Sequence, residues 1–303
     1  GPSKAKIEEL LLKSAEPTLR LQTATGQIAY GGRSNQFLHN ETCYAALCEW
    51  YATWMKSRGD LPLARRFRAA ARRAMDSLDA WTSLKPIHHV KNRYDTATKF
   101  GCESYAYFDK YMVTMGSWAY LAYRFADETI PADGVEPETT VFRMSDDFHR
   151  LVMSSGDYSL ELDWNAQKDY DANGIGRFER RGAPPVICLS VPFPKGGTNI
   201  HYCISATNVS ELALAPGWKS YRIVSAEPGK VVLTSAKGTA TWTNVLTKAG
   251  LEMTLVGARW LTISGGSTRS RTTTYARHPR TLTVSHESSG SSSNARLQIS
   301  CER

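Results

Sequence analysis

The sequence predicts an α+β chain in two parts, N-terminal helical hairpins over residues 1–130 and an antiparallel β-sandwich over 131–303. Apolar residues recur at helical spacing from Lys4 to Asp127, then in short alternating runs after Pro131-Ala132-Asp133-Gly134. No helical pattern separates the successive strand runs, so the sheets are expected to be antiparallel rather than built from βαβ units.

The first helix is short and carries Ile7, Leu10 and Leu11. A longer one is expected from Ser34, a good N-cap, to about Lys56, rich in Ala, Leu, Trp and Tyr. Gly59-Asp60-Leu61-Pro62 ends it and caps the third, with proline in the first turn, where its missing N–H costs nothing. The third helix runs to about Leu84. The fourth, Glu103 to Ala126, is unusually aromatic, with Tyr105, Tyr107, Phe108, Tyr111, Trp118, Tyr120 and Tyr123. In the second part Ser159–Trp164, Val186–Val191, Lys230–Thr234 and Leu251–Val256 read as strands. The Ser-rich stretch Ser285–Asn294 reads as a mobile loop.

With 303 residues and 42% hydrophobic content, the chain can bury a sizeable core. No apolar run is long enough to span a bilayer, and Gly1-Pro2-Ser3 resembles the remnant of a cleaved tag rather than a signal peptide. A net charge of +8 favours an acidic partner. Arg65, Arg66, Arg68, Arg72 and Arg73 of the third helix read as a solvated face. The six cysteines show no zinc spacing, and Cys43 and Cys48 read as buried thiols. No nucleic-acid-reading or phosphate-loop motif is present, so nucleic acid is not an expected partner.

The densest polar feature is Gly31-Gly32-Arg33-Ser34-Asn35-Gln36-Phe37-Leu38-His39-Asn40-Glu41. Asn35 and His39 stand four apart, which on a helix puts amide and imidazole on one face beside Arg33, able to grip and deprotonate an anionic group. The sixteen residues Lys85–Phe100 are long for a connection between helices. They carry His88, His89, Lys91, Arg93 and Tyr94 and are expected to meet substrate, with Lys91 and Arg93 attracting an acidic chain. His149 and His201 are the histidine candidates in the β segments, and the tryptophans Trp164, Trp218, Trp242 and Trp260 read as core.

These segments, with Glu103-Ser104-Tyr105-Ala106-Tyr107, resemble the heparinase II/III-like and alginate-lyase-like polysaccharide lyases. The resemblance implies a partial (α/α) toroid joined to the sandwich. It further implies β-elimination on a uronic-acid polysaccharide or oligosaccharide, and a secreted or periplasmic setting. The catalytic residues it implies are Asn35, His39, and Tyr94 or Tyr107. Arg33, Gln36, Asn40, His88, His89, Arg93 and His201 would bind substrate. No cofactor is expected, and a structural divalent metal in the sheet part stays open. The four expected helices are fewer than a closed toroid needs, so a further N-terminal segment or a second chain is an expected partner. A glycoside hydrolase using Glu41, Glu103 or Asp109 is the alternative, and a non-catalytic carbohydrate-binding protein is a third reading.

Overall fold

The computed structural model describes residues 3–28, 37–83, 91, 109–132, 139–164, 174–182, 189–190, 221–235, 238, 241–256, 271–277, 280–288 and 294–301. Among these the chain is α+β, with helices first and two antiparallel sheets after them.

Helix α1 (Lys4–Arg20) starts at Ser3, whose hydroxyl accepts from the Lys6 N–H at 3.3 Å. Residues 22–28 then fold back on themselves through a bridge between Gln22 and Ile28. Gly26 sits in this turn at φ +89°, and a Cβ there would lie 2.0 Å from the Arg73 carbonyl oxygen. Only glycine meets both conditions. The Gln22 amide donates to the Gly26 and Ala70 carbonyls, fastening the turn to α3 (Leu61–Thr82).

Helix α2 (His39–Ser57) lies between α3 and α4 (Asp109–Phe125). Alanines do most of the packing between α2 and α3, where Ala45, Ala52, Ala64, Ala70, Ala71 and Ala74 are buried with Phe67, Tyr51 and Met55. Their small side chains let the two backbones approach closely, and the Tyr51 and Phe67 rings stack at 4.5 Å in the space left. Asp60 caps α3 by accepting from the Leu63 N–H at 3.1 Å, as the sequence indicates. Hydroxyls of Tyr44 and Tyr51 donate to the Thr18 and Leu11 carbonyls and hold α1 against α2.

The first sheet has the order β1 (Thr140–Arg143), β2 (Arg150–Ser155), β3 (Tyr158–Asp163), β4 (Gly174–Arg180) and β5 (Leu189–Ser190). The second contains β6 (Tyr221–Glu227), β7 (Lys230–Ser235), β8 (Thr241–Thr247), β9 (Gly250–Val256), β10 (Arg271–Arg277), β11 (Arg280–Ser288) and β12 (Asn294–Cys301). Its order is β10-β11-β12-β9-β8-β7-β6. Strands β2 and β3 approach β8, and β1 approaches β6.

Strand β3 is buried along its whole length. On one face Tyr158, Leu160 and Leu162 are apolar, with Phe178 of β4 opposite Leu160. Its other face carries Ser159, Glu161 and Asp163, with Glu179 and Arg177 opposite Ser159 and Glu161. This polar face meets the 22–28 turn, where the Ala24 N–H donates to the Ser159 hydroxyl at 2.6 Å.

Four expectations change. Helix α2 begins at His39, because Phe37 takes part in a β-bridge and Leu38 is the N-cap, so helical spacing does not relate Asn35 to His39. Residues 285–288 belong to β11, paired with Gln298 through Ala295 of β12, and 285–286 also with β10, because cross-strand backbone pairing outweighs the local Ser-rich composition. The arginines of α3 are not simply a solvated face. Arg68 is buried between Glu49 and Glu128, Arg72 also reaches Glu128, and Arg66 forms a two-pronged pair with Glu16. His149 is not in a strand but in the turn before β2, at φ +53°.

Candidate functional site

The chain enters α2 through two buried residues, Phe37 and Leu38, the latter against the buried Trp81 ring of α3. That anchoring sets His39, the first helical residue, at a fixed place. Its imidazole clusters with Phe37 and with Tyr111 of α4, at ring separations of 5.5 and 5.2 Å, the latter pair inclined by 10°. The Phe37 and Tyr111 rings stack on each other at 4.3 Å. Nδ1 of His39 is buried and has no hydrogen-bond partner. Burial holds the imidazole below its ordinary pKa of 6.5, and the nearby Lys91 charge acts in the same direction. An uncharged imidazole is the form that accepts a proton.

Asn40 is half-buried, and its N–H donates to the Phe37 carbonyl at 3.2 Å. One residue further, Glu41 points inward and is fully buried. Its Oε1 accepts from Lys91 Nζ and from the Ile28 N–H at 3.3 Å, and its Oε2 is buried without a partner. Lys91 is itself fully buried. Removal from water pushes its ammonium below the ordinary value of 10.5; Glu41 opposes that shift and Arg177 adds to it.

Beyond Lys91 the network continues onto the sheet. Arg177 is fully buried; its Nη1 donates to the Ile28 carbonyl at 3.2 Å and lies 3.4 Å from Glu179 and 3.7 Å from Glu161. Glu179 accepts from the Thr23 and Thr25 hydroxyls at 2.5 Å each and from the Gln27 amide at 2.6 Å. The 22–28 turn is thus tied by hydrogen bonds to the polar face of β3 and β4. Three carboxylates and two cations share this water-poor junction between helices and sheet, an arrangement that is stable only because each charge has partners.

Of the residues the sequence singled out, the structure brings His39 and Asn40 to this junction. Arg33, Asn35, Gln36, His88, His89, Arg93, Tyr94, Tyr107 and His201 lie outside the described residues, as do Glu103, Trp218 and Trp260. Lys91 is corrected: it is buried on Glu41 and cannot draw a polymer from solution. Glu41 is closed off by the same pair, which removes it from the acids a hydrolase could use. His149 lies edge-on to Trp164, at 6.1 Å, and Trp164 is buried.

Sequence reasoning missed Tyr111, Arg177 and Glu179. Tyr111 belongs to the aromatic run that marks the fourth helix in the sequence, so that run held a signal for it. Arg177 and Glu179 carried none, since their partners Ile28 and Thr23 stand far back in the chain. Among the described residues no group of three His, Cys, Asp or Glu side chains could hold a metal ion, and no helix is long and apolar enough to cross a membrane.

Comparison with protein-family models, curated proteins and solved structures finds no match for this chain.

Proposed function

We propose that the chain is a polysaccharide lyase that cleaves a uronic-acid-containing anionic polysaccharide by β-elimination. The observation that carries this reading is His39, stacked beside the Tyr111 ring at the head of α2 with a buried, orphan Nδ1. In this reaction a base removes the C5 proton of the uronide, and the electron pair left behind forms the C4=C5 double bond. The C4–O bond breaks, and an acid returns a proton to the leaving oxygen. The carboxylate beside C5 must first be neutralised by hydrogen-bond donors, as in an oxyanion hole.

His39 is suited to the base rather than to a cationic neutraliser, because burial and the Lys91 charge both favour its neutral form. Asn35, Asn40 and Arg33 are assigned to the carboxylate. Gln36, His88, His89, Arg93 and His201 are assigned to the sugar chain. Tyr94 or Tyr107 is assigned to the acid. In the same reading the helices form part of an (α/α) toroid, and the two sheets a sandwich. The hydrolase alternative loses its acid at Glu41, which is buried against Lys91.

The test is a panel of uronic-acid polymers monitored for the near-ultraviolet absorbance of the unsaturated product. Growth of that band, abolished by His39→Ala and lowered about 10²- to 10³-fold by Asn35→Ala, is the expected result. Saturated products, with loss on Glu103→Gln instead, would replace the lyase reading by the hydrolase one.

A further inference from the structure

Lys91 and Glu41 are both completely shut off from solvent, and neither touches substrate in the chemistry proposed above. Burying two full charges costs several kcal/mol each before pairing, so their place in the fold calls for a role. Three placements define it. Glu41 sits in the first turn of α2, two residues after His39. Lys91 comes from the segment between α3 and α4, the stretch that carries His88, His89, Arg93 and Tyr94. Behind Lys91 stand Arg177 and Glu179 of β4, so helix, intervening segment and sheet meet at one ammonium group.

We propose that the Glu41–Lys91 ion pair is a positioning device, which ties the segment between α3 and α4 to the head of α2 and fixes a cation behind His39. Lys91 is a positioning residue, not a catalytic one, because it has no surface that a substrate could touch. The inference rests on the lyase reading for its meaning, but its geometry does not. Among the described residues Phe37 and Tyr111 pack on the His39 ring, and the charge that acts on the imidazole is Lys91, itself paired with Glu41. That charge is positive, and the positive end of the α2 dipole reinforces it. Both oppose protonation of the base.

The experiment uses the whole chain and reads no turnover first. Native-state acylation of lysine amines, followed by mass spectrometry, should leave Lys91 unmodified while exposed Lys4 reacts. Modification of Lys91 at the rate of Lys4 overturns the proposal. Next, the imidazole titration of His39 is followed by NMR in the unaltered chain and in the paired variant Lys91→Met with Glu41→Gln, which removes both charges and strands neither. The titration should move to higher pH in the variant, and a folded variant whose His39 titrates unchanged overturns the positioning role. If the variant does not fold, the amine labelling of the unaltered chain still decides whether the tether exists. With an active substrate, the acid limb of kcat/KM should move to higher pH in step, with kcat falling more than KM changes. A moved titration with no unsaturated product from any uronide would leave the tether standing and remove the lyase reading. An unmoved titration in an active lyase would do the reverse.

Discussion

Two side chains show how much burial alone decides. Asn244, on β8, is completely buried and neither atom of its amide has a partner. Its cross-strand neighbours are Val231 and Met253, so the amide gave up water without a hydrogen bond in return. Asn244→Leu, close in volume, should raise stability by about 1–3 kcal/mol, read as a higher urea midpoint at unchanged slope. His39 is the functional counterpart. Its folded pKa lies below 6.5, so between the two values the folded chain binds fewer protons than the unfolded one. The stability it contributes is complete above 6.5 and declines as pH falls towards the folded pKa. Activity should follow the same group: the acid limb of kcat/KM is expected below 6.5 and should vanish with His39→Gln, leaving a residual rate about 10²- to 10⁴-fold lower. An acid limb above 6.5 would assign the base elsewhere.

At the scale of elements, the 22–28 turn matters more than its length suggests. It is clamped to α3 through Gln22, which donates to the Ala70 carbonyl and accepts from Arg73 at 3.1 Å, and to β4 through Glu179. Gly26→Ala must adopt a left-handed backbone and displace the Arg73 carbonyl at once. It should cost about 2–5 kcal/mol by combining backbone strain with a steric clash, and thermal melting of the variant measures it. A loss below that of an ordinary surface substitution would mean that the turn is not wedged against α3. Helix α2 carries the opposite lesson. Its start has no side-chain cap, and the packing of Phe37 and Leu38 holds it instead. The capping signal at Ser34 was therefore the wrong one to follow, whereas at Asp60 the cap and the proline after it marked the start of α3 correctly.

For the whole molecule, the junction between helices and first sheet is an ionic seam rather than an oily one. Arg177 is central, since it holds the Ile28 carbonyl and faces Glu161 and Glu179. Arg177→Met should destabilise the chain by about 3–5 kcal/mol, because it leaves buried carboxylates facing each other. Arg177→Lys, which keeps a cation in place, should lose clearly less by the same urea measurement; an equal loss in the two variants would show that packing, not charge, is at stake. The sequence by itself determined the local periods: helical spacing up to Asp127, alternation afterwards, the start of α3, and strands β3, β7 and β9 nearly to the residue. Those features depend on neighbours a few positions apart, and the pattern of apolar side chains states them directly. Only the tertiary structure decided which charges are buried. Glu41, Lys91, Arg68, Arg177 and Glu179 look in sequence like solvated groups. What makes their burial tolerable is a partner supplied across the fold, in the case of Gln27 and Glu179 from 152 residues away. Local sequence carries no trace of such a partner, because the cost of removing a charge from water is set by three-dimensional surroundings and not by the chain on either side of it.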